Sequence, residues 1–489
     1  MATRAAAPTW AGLLGVLLIG VVGCASPRVG GDTGPGASAS VTTDLGAPLP
    51  TPATGVVPGP DATGSVATGP VGAEARGAAQ ATAALNRLFA QRSTAVRDGD
   101  RSAWAATVAD PGGAAGRAEF AAYEALLALG VRDLSGVVVG SAPTPVAEPT
   151  PDHTIGQADA GPIPARWTAT VRLGYSVPGV DRGPREVDRR VTLVRSEGQW
   201  RIERWLQPGD RWEVFDLLGL QVARTERTVV AGAVPVQTLL DRLAEAESGQ
   251  DRVASVWGSV VPALLVVTDT PEQAAHLLGT PAPAESPAPV PVRSTPPLAG
   301  RPSAALAATT HGARAPRAPA LADRVILDPQ GMARLTPTGR RVVLTHELTH
   351  VTVRGSTAHD LPMWLSEGFA EWVAFGDTGL SEAVVAQRLL DRVRGAGPPA
   401  DLPAAVEFAG LAGDPAAAYQ GAWLAVSWLA DRSGPAGLVA TVRAMAGDPS
   451  SEPVTDPPTV EAALRRATGL GQADLVEGWR SRLLSLARG

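Results

Sequence analysis

The sequence predicts an α+β protein with two folded bodies along its 489 residues, a length with room for two or three domains. Three observations lead to that class. Apolar residues recur at helical spacing between Ala78 and Leu129; between residues 167 and 205 the period changes to two; beyond Trp212 short apolar strands alternate with helices and give way to a mostly helical carboxyl-terminal part.

The amino terminus carries Arg4 ahead of an apolar run from Ala11 to Val22, too short for a comfortable membrane span. Residues 1–23 therefore read as an export signal. Val21-Val22-Gly23-Cys24 resembles a bacterial lipobox, which implies a lipid on Cys24 and a protein held at the extracytoplasmic face of the cell membrane; the other reading is a chance cysteine in a plain signal peptide. Cys24 is the only cysteine, so no intramolecular disulfide is available. Residues 24–77 are mainly Gly, Ala, Pro, Ser and Thr with few large apolar side chains, a composition expected of a disordered tether.

The first body spans 78–210. Its opening helix, Ala78 to Asp98, turns Leu85, Leu88, Phe89 and Val96 to one side. A second helix is expected over Ala118 to Leu129, with Phe120, Tyr123 and Leu127 inward and Gly130 as its stop. Trp167, Ala169, Val171, Leu173 and Tyr175 alternate with Thr168, Thr170 and Arg172 as in a half-buried strand. Val191 to Arg195, the turn Ser196-Glu197-Gly198, and Trp200 to Trp205 read as a hairpin. Helices ahead of an antiparallel sheet resemble the cystatin-like cone of the nuclear transport factor type. That resemblance is one of topology and implies a structural, spacing or recognition role. Asp152 and His153 lie in a Pro-rich connection and read as solvated.

The second body spans 211–489. Strands are expected over Arg227–Val230, Pro262–Thr268, Ala304–Thr310 and Arg324–Leu327, and a helix over Val234–Ala246. Thr270 and Pro271 open a short helix through Leu278, and 280–302 forms a Pro/Ala-rich loop. A longer helix starts near Thr336-Pro337 or Thr338 and ends at Gly355; another begins at Pro362 and ends at Gly376. A later helix covers Tyr419 to Arg432, closed by Gly434.

The chemistry concentrates on two of these helices. His346-Glu347-Leu348-Thr349-His350 places two of the six histidines four residues apart, on one helix face and within reach of one ion. Glu367, in Trp364-Leu-Ser-Glu-Gly-Phe-Ala-Glu-Trp372, can complete a three-ligand zinc set that leaves a fourth position for water, with Glu347 beside it as general base. The plain alternative is a pair of ordinary polar histidines on a partly buried helix.

These residues resemble the gluzincin clan of zinc metallopeptidases, which includes thermolysin and the HExxH aminopeptidases. The resemblance implies a zincin-like domain, with His346, His350 and Glu367 as metal ligands and Glu347 as catalytic base. It also draws attention to Tyr419, either a donor to the oxyanion of a tetrahedral intermediate or a core residue packed with Trp423. Glu371 shares a face with Glu367 and is either a carboxylate behind a ligand histidine or a solvated helix-face residue. His359 reads as a surface-loop residue, and His276 and His311 as structural or solvated. Two departures matter. Sixteen residues separate His350 from Glu367, so the connection must be tight, and no Gly-x-Met-Glu-Asn segment precedes the metal helix, which favours endopeptidase over aminopeptidase action. Ala304–Thr310 could pair with an extended substrate as an edge strand. The expected partners are a peptide or protein substrate and, through Cys24, the membrane. A net charge of −6 offers no basic surface for nucleic acid. The competing reading is a non-catalytic surface lipoprotein that uses a peptidase-like fold for binding or scaffolding.

Overall fold

The computed structural model describes residues 70–146, 166–206, 212–279, 308–315, 317–409, 411, 413–447 and 459–489. The signal, Cys24, the tether up to residue 69, Asp152, His153 and the 280–302 loop lie outside the described residues.

In the first body α1 (Pro70–Asp98), α2 (Arg101–Ala105) and α3 (Ala114–Leu129) share a core with an antiparallel sheet. Its strands are β1 (Leu134–Val138), β2 (Thr144–Pro145), β3 (Arg166–Tyr175), β4 (Arg185–Ser196) and β5 (Gln199–Leu206), in the order β1-β3-β4-β5 with β2 also on β3. The alternation read for β3 holds: Trp167, Ala169, Val171, Leu173 and Tyr175 are all buried. The β4–β5 turn sets Glu197 at φ 53° and Gly198 at φ 80°, the left-handed pair that matches strand twist in a two-residue hairpin. α1 begins upstream of the expected Ala78. A Cβ on Gly77 would lie 2.3 Å from Trp167 Cζ2, so the glycine that looked like tether lets the helix pass close over the sheet.

One inward residue differs. On α3 Tyr123 is buried and Phe120 packs against the core as expected, but Leu126 and Leu129 are buried while Leu127 is 37% exposed. The alanines around them carry little amphipathic signal, so the face is set by packing against the sheet.

In the second body β6 (Gln221–Arg224), β7 (Thr228–Gly232), β8 (Ala263–Val267), β9 (Ala308–His311) and β10 (Arg324–Leu327) form a mixed sheet ordered β6-β7-β8-β10-β9. β7, β8 and β10 run parallel; β6 and β9 are antiparallel edges. Register places Val230, Leu265, Val325 and Thr310 in one row. The apolar members of that row share a core with α4 (Val236–Trp257) and α7 (Pro337–Ser356). The next row, Ala231, Val266 and Ile326, points to the opposite face and joins the core of the first body, together with Ala274 and Leu277 of α5 (Pro271–Leu278). The mixed sheet is thus a middle layer, its two faces divided by the period of two. α6 (Pro329–Ala333) leads to α7; α8 (Met363–Phe375) follows it; and α9 (Glu382–Val385), α10 (Gln387–Ala396), α11 (Ala405–Phe408), α12 (Pro415–Ala446), α13 (Val460–Thr468) and α14 (Gln472–Arg488) complete a helical carboxyl-terminal part. Gly434 leaves the helical region at φ 73° and ψ 164°, so it closes the first helical segment of α12 as expected, and a second segment follows across the kink from Pro435. Among the described residues no helix is long and apolar enough to cross a membrane.

Buried charges join the two bodies. Asp181, between β3 and β4, accepts from Arg324 Nη1 and Nη2 at 2.6 and 2.7 Å. Arg182 Nη2 donates to the carbonyl of Ala320 at 2.9 Å and to that of Gly355 near the end of α7. Glu213 accepts from Tyr175 Oη at 2.7 Å and from Arg185 Nε and Nη2 at 2.6 and 3.1 Å. Burial pushes the Glu213 carboxyl up, but Arg185 and Tyr175 outweigh it and hold it at about 2.

The sign of the acid response follows. An unfolded Glu213 takes up its proton near 4.5, whereas the folded one resists until about 2. Its contribution, on the order of 3 kcal/mol, is fully present above pH 4.5 and is lost as pH falls through 2. Unfolding measured by denaturant titration at pH 6 and pH 3 should show Glu213→Gln losing about 3–5 kcal/mol at pH 6. The variant should also have a flatter acid dependence than the wild type; parallel curves would exclude this carboxylate as a source of the acid sensitivity.

Candidate metal centre

α7 is built to be buried and to start sharply. Thr336 caps it by accepting from Gly339 N at 3.1 Å, with Pro337 at its first position. Every residue from Val342 to Val353 is buried, between α4 and the row of the mixed sheet that contains Thr310. α8 follows after Thr357–Pro362. That connection is held to the end of α12, with Ala358 N and His359 N donating to Ala446 O at 3.0 and 2.7 Å. Gly368 lets α8 lie against α12: a Cβ there would come within 2.5 Å of Ala422 O. The close approach of α8 carries Glu367 into the same buried region as the histidines.

There the three expected ligands meet. His346 Nε2 and His350 Nε2 are 3.0 Å apart, and Glu367 Oε2 lies 3.2 Å from the first and 3.4 Å from the second. A four-coordinate ion with bonds of about 2.0–2.1 Å to nitrogen and oxygen sets its ligand atoms about 3.3 Å apart. The triangle has that size. His346 and Glu367 are 0% exposed and His350 is 3% exposed. Neither Glu367 oxygen has a hydrogen-bond partner among the described residues. Two ring nitrogens and a carboxylate oxygen aimed at one buried point are a donor set for a cation. The group can therefore hold a metal ion.

Charge reinforces the arrangement. Burial alone would raise the Glu367 carboxyl, but His350 and His346 hold it down at about 2. Burial opposes a charge on His350, yet Glu367 prevails and raises its basicity. Glu367 is thus an anion facing both rings.

Glu347 lies one residue beyond His346 and is 0% exposed. Its Oε2 accepts from Thr310 Oγ1 at 2.7 Å, and Oε1 has no hydrogen-bond partner among the described residues. Burial raises its carboxyl, against the pull of the two histidines. Glu371 is buried rather than solvated, with Oε1 3.8 Å from His346 Nδ1: adjacent, though longer than a hydrogen bond. Burial, then Glu367 and Glu347, push its carboxyl well up. Tyr419 is 4% exposed; its ring is 6.5 Å from that of His346 and edge-on to Phe408 at 5.1 Å. Tyr419 and Trp423 belong to one buried core, in which Trp423 also packs on Phe375. His359 lies beside Gly447 at the end of α12. His276 stacks on Trp212 at 4.7 Å, and His311 is on β9.

Two contacts escaped the reading of the sequence. Thr310 was placed on a strand but not against Glu347, and only the sheet register reveals that meeting. Ser366 Oγ is 3.4 Å from His350 Nδ1, the ring nitrogen turned away from the triangle. Its position next to Glu367 on α8 was the available signal. Compared with models of known protein families and with curated protein sequences, the chain has no significant match to either.

A direct consequence concerns metal content. The purified full chain should retain about one divalent ion per molecule, and His346→Ala or Glu367→Ala should bring this close to zero by elemental analysis. Chelation should lower the Tm of the wild type and leave the His346→Ala Tm unchanged. Equal metal content in wild type and both variants would place the ion elsewhere.

Proposed function

We propose that this chain is a zinc-dependent peptidase of the gluzincin kind that hydrolyses peptide bonds outside the cytoplasm, tethered to the membrane by a lipid on Cys24. The observation that carries the reading is the pairing of the His346, His350 and Glu367 triangle with an adjacent buried carboxylate that is not part of it. A pure metal-binding scaffold has no use for Glu347. Two nitrogens and one carboxylate oxygen suit zinc, whose catalytic sites characteristically combine three protein ligands with one open position. Bound zinc would supply Lewis acidity, acidifying a water molecule and polarising the scissile carbonyl.

The side chains of this protein perform the remaining work. Glu347 takes the proton of the attacking water and returns it to the leaving amine. Thr310 holds Oε2 of that carboxylate by its 2.7 Å hydrogen bond and so directs the other oxygen, Oε1. Ser366 holds Nδ1 of His350 from behind, and Glu371 stands beside Nδ1 of His346 without a hydrogen bond to it. We place Tyr419 beside the developing oxyanion. β9 is an edge strand of the mixed sheet next to α7, which suits antiparallel addition of an extended peptide. The helices and antiparallel sheet of the first body fit a cystatin-like cone, to which we assign a spacing or recognition role.

Glu347→Gln gives the decisive comparison. The variant should bind as much metal as the wild type and cleave an unstructured protein such as casein about 10²–10⁴-fold more slowly. Unchanged cleavage by a metal-replete Glu347→Gln would reject Glu347 as the base. A wild-type chain that is fully metal-loaded yet inert towards peptides would favour the scaffold reading.

A further inference from the structure

The end of the metal helix is held from outside. α7 stops at Ser356, and at Thr357 the backbone is extended, with φ −130° and ψ 163°, so no left-handed cap follows it. Gly355, expected as the stop, lies inside the helix, and its φ is not positive. The carbonyls of the last turn therefore need other partners. That of Val353 accepts from Thr357 Oγ1 at 2.7 Å, and that of Arg354 from Ala320 N at 2.9 Å. The carbonyl of Gly355 accepts from Arg182 Nη2, a group of the first body.

Arg182 reaches this helix end from the connection between β3 and β4, which docks along residues 320–324. Asp181 pairs with Arg324, Arg182 N donates to Leu321 O at 2.9 Å, and a Cβ on Gly183 would lie 2.7 Å from Leu321 Cδ1. Arg182 Nη2 also donates to Ala320 O at 2.9 Å, so one guanidinium bridges this segment and α7. Both side-chain hydrogen bonds go to carbonyls rather than to a carboxylate, and the positive charge stands at the negative end of the helix dipole. Gly355 belongs to the same contact. A Cβ there would come 3.1 Å from Arg182 Nη2 and 3.0 Å from Val261 Cγ1, tighter than such atoms ordinarily pack. Close approach of the guanidinium accounts for a glycine where helix propensity alone favours alanine.

We propose that Arg182 is a positioning residue of the metal centre. By capping α7, the first body fixes the turn from which α8 brings Glu367 back to His346 and His350. Gly355 lies between His350 and Glu367 in sequence, in the short stretch that sets how the two helices meet. The inference rests on the metal-centre reading and not on peptide cleavage. It gives the first body a part in the site besides spacing or recognition. Arg314 also ties the connection, donating to Thr357 O and pairing with Asp360 at 2.9 Å, so loss of Arg182 weakens the centre without abolishing it.

The test compares full-length wild type, Arg182→Met, Gly355→Ala, their double variant and Val191→Ala. Val191 is a fully buried residue of β4, and its truncation destabilises the first body away from α7. Zinc affinity is read by competition with a chromophoric chelator, and amide exchange by mass spectrometry of the metal-free protein. Arg182→Met should bind zinc at least about fivefold more weakly than wild type. Its peptides covering residues 351–362 should exchange at least about fivefold faster. Gly355→Ala, which meets the same contact from the helix side, should also weaken zinc, and the double variant should be no weaker than the weaker single one. Val191→Ala should keep wild-type values of both. Wild-type zinc affinity in a folded Arg182→Met or in Gly355→Ala, unchanged exchange over 351–362, additive losses in the double variant, or equal loosening by Val191→Ala would each overturn the proposal. A wild type that binds no zinc would overturn the metal-centre reading and this inference with it.

Discussion

Three polar atoms, two imidazole nitrogens and one carboxylate oxygen, are held 3.0–3.4 Å apart among buried side chains. This is the constraint on which the structure depends. Such a group is costly in a protein interior unless a cation balances it, because the carboxylate has left water without gaining enough hydrogen bonds to compensate. The fold is arranged to keep the three atoms together. α7 is wedged between α4 and the mixed sheet, α8 is drawn against α12 at Gly368, and the short α7–α8 connection is tied to Ala446.

Sheet register is the second determinant. β7, β8 and β10 set the row that ends at Thr310, and the period of two turns that row towards α7. A shift of one residue in β9 would bring Thr309 to that face in place of Thr310 and change the group next to Glu347. The opposite face of the same sheet carries the first body, which Asp181 fastens to Arg324 of β10 and Arg182 to the carbonyl of Gly355 near the end of α7. The carboxylate beside the ligands is therefore oriented by a strand whose own position depends on both halves of the chain.

Much of this was legible in the sequence, for definite reasons. His346 and His350 were readable as partners because four residues on a helix bring two side chains to one face whatever surrounds them. Glu367 was readable because its helix had clear boundaries at Pro362 and Gly376. Where contacts arise across elements, reading failed or stayed open. Thr310 meets Glu347 only through strand order and register. The inward face of α3 was assigned to Leu127 instead of Leu126 because neighbouring alanines fit either choice. β6 was missed because it has four residues, two of them the polar Gln221 and Arg224. Gly434 was readable as a stop, and its non-helical backbone does interrupt α12; what went unread is the second helical segment beyond the kink. Gly77 resembled tether because its role, close passage over Trp167, depends on a residue ninety positions away.

The most direct measurement is X-ray absorption at the metal edge of the purified full-length protein, compared with its Glu367→Gln variant. The account predicts a four-coordinate zinc with two imidazole scatterers and oxygen ligands at about 2.0–2.1 Å, and a changed or lost first shell in the variant. A wild-type spectrum without imidazole scattering, or one that Glu367→Gln leaves unaltered, would contradict it.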